Sequence, residues 1–221
     1  MELEKQDPET DAIATLCLIS RGYGPIEPGH RARDAATDYG WHFFLISGKK
    51  LVVAKNKAAY YSLRNQTDLI MVEDDIEVDE TIWKALQVRQ DQPNTIHIAE
   101  TATKRGSSNV ITSPSGRFLF SGHALIRIPI GILRRMSAPI FRSWNFVYST
   151  DKETLIDKGE ADHGNHSDAY FWHCATQLDP PPEIEVIGEV KHIRHQHNAG
   201  RTNHADPYTP TYYERRDVAK I

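Results

Sequence analysis

Short apolar runs separated by stretches of helical period set the plan of this chain. Residues 15–20 (Thr-Leu-Cys-Leu-Ile-Ser) are apolar, bounded by polar residues, and predict a first strand. The glycines and proline of 21–25 break regular structure and predict a loop. Residues 30–38 predict a short helix, and 41–47 (Trp-His-Phe-Phe-Leu-Ile-Ser) a second buried strand closed by Gly48. Alanines and tyrosines at helical spacing predict a helix over 55–65. Residues 69–73 predict the next strand, 80–89 a helix built on Ile82, Trp83, Ala85 and Leu86, and 95–99 a further short strand. Strands alternating with helices argue for an α/β fold, a mostly parallel sheet with helices on both faces. Right-handed crossovers then bring the loop at Arg21 and the end of the strand at Glu73 to one rim of the sheet.

The second half changes character. Residues 101–116 are polar and rich in glycine and serine, and predict a loop or loose hairpin. Residues 117–122 (Arg-Phe-Leu-Phe-Ser-Gly) predict a strand ending in a tight turn, 130–136 a short helix after Pro129, and 151–165 a polar loop. Residues 166–177 predict an amphipathic helix with Tyr170, Phe171 and Ala175 inside, ended by Pro180-Pro181-Pro182, and 184–190 a last strand. Neither an internal repeat nor a low-complexity linker marks a second domain, so one domain over 13–199 is expected, with tails at 1–12 and 200–221.

The most informative stretch is Leu69-Ile70-Met71-Val72 running straight into Glu73-Asp74-Asp75. An apolar run of this length suits a strand buried on both faces, and in open α/β sheets ligands bind outside the carboxyl ends of such strands. Three adjacent carboxylates repel one another unless a cation joins them. Hard oxygen ligands suit Mg²⁺ or Mn²⁺, which in turn hold phosphates. The alternative is a solvated acidic turn, with Asp79 as N-cap of the following helix.

Composition narrows the classes. With 221 residues, 39% of them hydrophobic, the chain can bury a core without disulfide staples. Its two cysteines, Cys17 and Cys174, give no sign of pairing, which implies a reducing, cytoplasmic setting. The N-terminus (Met-Glu-Leu-Glu-Lys-Gln-Asp-Pro) is too polar and acidic for a signal peptide, and no apolar stretch approaches a membrane span. A net charge of −4 argues against stable binding of long nucleic acid. The clusters Lys49, Lys50, Lys55, Lys57 and Arg127, Arg134, Arg135, Arg142 read as solvated faces.

The order of these features resembles the nucleotide-diphosphosugar glycosyltransferases of GT-A type, in particular the short family of bacteria, phages and large viruses. Ser20-Arg21-Gly22-Tyr23 resembles the mouth of the nucleotide pocket, and the helix at Lys55-Asn56-Lys57 the donor-side helix. Leu69 to Asp75 resembles the apolar strand and DxD motif, with Glu73 at the first acidic position and Asp75 at the second. Phe120-Ser121-Gly122 with Ile126-Arg127 resembles the small-residue turn near the acceptor. Ser167-Asp168-Ala169-Tyr170-Phe171 is similar to the helix start that carries the base of inverting members, and Gly188 to Ile193 to the late strand ending in a metal-binding histidine. The sequence departs from the pattern in having Glu at the first DxD position and Ser167 before Asp168.

The resemblance implies a GT-A (Rossmann-like) fold and transfer of a sugar from a nucleotide-diphosphate donor, expected to be a UDP-sugar, to a hydroxyl acceptor, with Mn²⁺ or Mg²⁺. Asp75 and His192 are the metal ligands it implies, with His195 as the alternative to His192, and Asp168 the catalytic base. The donor side comprises Ser20, Arg21, Tyr23, Asn56 (with Lys55 as its alternative), Glu73, Asp74, Ser121 and Gly122. Asp74 is expected on the face opposite Glu73, since side chains alternate along a strand. Trp144 and Trp172 are candidates to stack on an acceptor sugar, with core packing as the alternative. The acceptor stays open among a glycan, a lipid-linked sugar, a protein and a modified base. Two other classes compete: a metal-dependent phosphohydrolase or nuclease, and a non-catalytic sugar or nucleotide-binding module.

Overall fold

A computed structural model of the chain describes residues 12–20, 26–103, 107–149, 154–160 and 167–193. Its elements in chain order are β1 (Ala14–Ser20), α1 (Ile26–Asp38), β2 (His42–Ser47), α2 (Leu51–Asn65), β3 (Asp68–Glu73), β4 (Ile76–Glu77), α3 (Glu80–Val88), β5 (Thr95–Glu100), β6 (Val110–Thr112), β7 (Phe118–Ser121), β8 (Leu125–Ile128), α4 (Ile130–Arg135), β9 (Trp144–Ser149), β10 (Thr154–Glu160), α5 (Ser167–Ala175), β11 (Glu183–Glu189) and β12 (Lys191–His192). Arg21, Tyr23, His195 and nearly all of both expected tails lie outside the described residues. Among the described residues, no helix is long and apolar enough to cross a membrane.

Six strands form the central sheet in the order β11-β5-β8-β3-β1-β2. β1 runs parallel to β2 and β3, and β11 parallel to β5; β8 is antiparallel to both of its neighbours. The fold is thus mixed α/β with a mostly parallel sheet. β3 is apolar from Leu69 to Val72 because helices cover both faces. Leu69 and Met71 pack with Ala58 of α2, Leu133 of α4 and Phe171 of α5. Ile70 and Val72 pack with Ala32 of α1 and Leu86 of α3. Asp79 caps α3 by accepting the Ile82 N–H at 3.0 Å.

Four expectations need correction. The strand expected to be buried at 41–47 is the sheet edge: β2 pairs only with β1, and Leu45 is 58% exposed. β8 was not anticipated, because Arg127 interrupts its apolar pattern. The loop expected at 151–165 instead contains β10, which forms a hairpin with β9. Tyr170, expected inside, is only half-buried. The loose hairpin expected in 101–116 is present in part, as β6 pairs with β7.

Arg127, read from sequence as part of a solvated cluster, has no exposure at all. Its guanidinium pairs with Asp68 at the start of β3 and donates to Nδ1 of His97 at 2.9 Å. Asp68 in turn accepts the Ile130 N–H at 2.8 Å, which fixes the start of α4. Removing one member of such a pair strands the other charge. Arg127→Leu should therefore destabilise the fold by about 3–5 kcal/mol in urea unfolding, and Arg127→Leu with Asp68→Leu by clearly less. A single variant as stable as the wild type would refute the pairing.

Candidate functional site

β1 sits between β2 and β3, so the chain leaves β1 toward one side and returns on the other. That arrangement makes the carboxyl ends of β1 and β3 a topological switch point, where ligands bind in open α/β sheets. Ser20 ends β1 and Glu73 ends β3. The ladder continues one step further, the Asp74 N–H donating to the Ile19 carbonyl at 3.1 Å. Side-chain alternation then parts the acidic triplet. Glu73 follows Leu69 and Met71 toward α2, while Asp74 points the other way and accepts the Ser20 hydroxyl at 2.6 Å.

Asp75 is carried to His192 by a short ladder. β4 pairs antiparallel with β12, placing His192 opposite Ile76, and the Ile193 N–H donates to the Asp75 carbonyl at 2.8 Å. His192 Nε2 lies 3.1 Å from Asp75 Oδ2, and its Nδ1 lies 3.2 Å from the Ala102 carbonyl. Burial lowers the basicity of His192, but the hydrogen bond and charge of Asp75, with help from Ala102 and Glu73, raise it above its ordinary value.

On the α2 side stands a second cluster. Lys55 is fully buried, with Nζ 2.5 Å from Asp168 Oδ1 and 3.6 Å from Glu73 Oε1. Asp168, at the start of α5, also accepts the His123 N–H at 3.3 Å. Burial opposes ionisation of Asp168, but His123 and Lys55 together outweigh it and hold the carboxyl at about 2. His123 sits edge-on against Phe141, Phe171 and Trp172. Its Nδ1 is 3.2 Å from Asp168 Oδ1, though not aligned for a hydrogen bond. Burial drives its basicity down to about 3, so it is neutral at pH 7 and the standing counter-charge of Asp168 is Lys55. Gly122 borders this cluster: a Cβ there would come within 3.9 Å of Asp168 Oδ2. Ser121, buried beside it, hydrogen-bonds through its hydroxyl to the Gly122 carbonyl at 2.9 Å.

The sequence therefore located Ser20, Glu73, Asp74, Asp75, Ser121, Gly122, Asp168 and His192 around one end of the sheet. Asn56 departs from its expected role. Its amide is spent on the backbone of Phe141, accepting the N–H at 3.1 Å and donating to the carbonyl at 2.7 Å. Trp172 is core and donates to the Ser121 carbonyl at 2.8 Å, so it offers no face to a sugar. Trp144 lies against Tyr170, with ring centroids 5.3 Å apart. His123 was missed, and Lys55, weighed beside Asn56 for the donor, is buried rather than part of a solvated cluster. For Lys55 a signal existed: it shares a helical face with Ala58, Ala59 and Ser62, all buried. His123 stands after a glycine with no periodic context.

No family model and no curated protein matches this chain. Among solved structures it is similar to the crystal structure of A197 from STIV, with a TM-score of 0.54 and 13% identity over 94% of this chain and 97% of A197. At that identity the likeness concerns the fold alone.

Two buried histidines give the fold a pH dependence. His123 is lowered to about 3, and His97 to about 4, by burial assisted in His97 by Arg127. Both pKa values lie below the unfolded value of 6.5, so between pH 6.5 and about 4 the unfolded chain binds protons that the folded chain refuses. Stability should fall with pH across that window, by about 1.4 kcal/mol per unit for each histidine, with His192 acting in the opposite sense. Asp168 extends the loss from 3.8 down to about 2. Urea unfolding at a series of pH values measures the slope, and His123→Phe should remove about one proton's worth of it. A stability unchanged from pH 7 to 4.5 would contradict the burial of both rings.

Proposed function

We propose that the chain is a metal-dependent glycosyltransferase of GT-A type, moving a sugar from a nucleotide-diphosphate donor, expected to be UDP-linked, to a hydroxyl acceptor. The observation that carries this reading is the Asp75–His192 pair, 117 residues apart in sequence and 3.1 Å apart at the carboxyl end of β3. Its chemistry fits a divalent cation. With Nδ1 turned to the Ala102 carbonyl, Nε2 faces the Asp75 carboxylate, which raises the basicity of the ring. Two acceptors at that separation call for a proton or a cation between them. Among the described residues no group of three or more His, Cys, Asp or Glu side chains is gathered to hold a metal, so a cation here would take its remaining ligands from phosphates and water. When bound, such an ion would stabilise the negative charge gathering on the departing diphosphate.

The chain's own side chains supply the rest of the proposal. The Ser20–Asp74 bond ties the end of β1 to the acidic turn. Glu73 faces α2, placed for a ribose hydroxyl or a water of the cation shell. The resemblance makes Asp168 the base. A carboxyl held at about 2 by an ammonium has little affinity for a proton, which favours an anchoring role for Asp168 over general-base work.

A thermal-shift panel of nucleotide sugars with and without Mn²⁺ tests the proposal. A donor at about a hundred times its dissociation constant stabilises the native state by about 2.7 kcal/mol. The expected result is an Mn²⁺-dependent rise with one nucleotide class, absent in Asp75→Asn and in His192→Ala, together with glycoside formation from the responding donor. A panel with no Mn²⁺-dependent rise, or phosphate released with no glycoside formed, would overturn it.

A further inference from the structure

α2 shows solvent a single stripe. Its exposed residues are Val53, Lys57, Tyr60 and Arg64, whose alternating spacings of four and three residues stack them on one helix face. Lys49 and Lys50 extend the stripe where the chain leaves the carboxyl end of β2, and Arg134 of α4 extends it at the far end, its guanidinium donating to Gln66. The 15 residues of α2 make the stripe about 22 Å long. Neither 48–66 nor 129–149 contains an Asp or a Glu, in a chain whose net charge is −4. Among the described residues none of these five cations is paired with a carboxylate: Lys57 lies over the Tyr61 ring at 5.5 Å, and Gln66, the partner of Arg134, is neutral. Two large side chains stand in line with them, Val53 51% exposed and Tyr60 59%.

The acids that give the chain its sign lie elsewhere, so this face presents positive charge to an approaching partner. We propose that the α2–α4 face docks on an anionic lipid bilayer, its cations meeting the headgroups while Val53 and Tyr60 enter the interface. Cations interleaved with apolar side chains on an exposed helix suit such a surface. A tyrosine, with an apolar ring and a polar tip, suits the depth of the headgroups. Duplex nucleic acid would answer the same charge, but a row of phosphates gives Val53 and Tyr60 no apolar layer to enter. Lys49 and Lys50 stand at the rim that carries Ser20 and Glu73, because β1, β2 and β3 run parallel, so docking brings that rim to the bilayer. The inference is independent of the cation reading of Asp75 and His192.

The experiment sediments the full-length protein with vesicles of phosphatidylcholine alone, and with vesicles in which about one third is phosphatidylserine. Wild-type protein should bind the anionic vesicles only, and less as salt rises. One cation beside an anionic leaflet strengthens attachment on the order of fivefold, so Lys57→Gln with Arg64→Gln should weaken it by about tenfold or more. Val53→Ser with Tyr60→Ser should weaken it several-fold and leave the salt dependence in place. Arg33→Gln with Lys84→Gln makes the same change in net charge from exposed positions on α1 and α3, across the sheet, and should bind as the wild type does. Every substituted side chain is exposed, and thermal melting establishes that each variant is folded. Wild-type protein that stays in solution, equal attachment to neutral vesicles, or equal loss from the two charge variants overturns the proposal. An apolar pair whose removal changes nothing overturns the bilayer as the partner, and retention of a DNA duplex through Lys57 and Arg64 would then put nucleic acid in its place.

Discussion

An ammonium buried without solvent is tolerated only when its partners replace the water it has lost. Lys55 meets that condition through Asp168 and Glu73, and much of this end of the molecule depends on the arrangement. It lets α2, β3 and the start of α5 meet at one point despite the carboxylates they bring. It keeps Asp168 ionised although burial opposes the charge. The neutrality of His123 follows from the same neighbourhood, because a ring caged by Phe141, Phe171 and Trp172 and placed near an ammonium has no reason to take a proton.

β3 carries an acid at each end, and the two are treated differently. Asp68 at its start is locked by Arg127, whose guanidinium also reaches His97 and the Gln90 carbonyl. That planar group spreads several hydrogen bonds over fixed partners, which suits a site that never changes. Glu73 at the far end lies 3.6 Å from the Lys55 ammonium and keeps 17% of its side chain exposed. The first arrangement holds the sheet to α4; the second leaves the carboxylate partly exposed. One strand therefore has a locked end and a partly exposed end, and Arg127, brought by the antiparallel β8, is what locks the first.

The alternation of strands and helices in the first half was legible because the inner residues of β1 (Leu16 to Ile19) and β3 (Leu69 to Val72) are apolar whichever face they take. The acidic turn was legible for the complementary reason, that a double-faced apolar run must end where the chain meets water. β8 was not, since its four residues include an arginine whose partner, Asp68, lies 59 residues earlier. Periodicity carries no information about such a pairing. β2 misled for a related cause: its apolar residues suggested burial, but a strand at the edge of the sheet is less covered than one inside it. The helix face of α2 did announce Lys55, and only the habit of treating lysine clusters as solvent-facing hid it. Asn56, one residue on, turned to the backbone of Phe141, a role no local pattern distinguishes from ligand binding.

The meeting of Asp75 and His192 depends on a register that neither residue sets. β4 and β12 have two residues each, and their ladder is anchored on one side by β3 and on the other by β11. A slip of one residue would turn every side chain of β12 to the other face, sending His192 away and bringing Lys191 or Ile193 in its place. β11 contains an irregularity between Val186 and Gly188 in its pairing with β5, and Gly188 stands at a φ of 149° where an added Cβ would strike Ile82. That irregularity shifts the phase of the strand just before β12 begins. The glycine thus accommodates a close approach to α3 and helps fix the parity that delivers His192, rather than a neighbour, to the acidic turn. Geometry at the site is inherited from packing some distance from it, which is why a short acidic motif and a late histidine have meaning only once the sheet that joins them is in place.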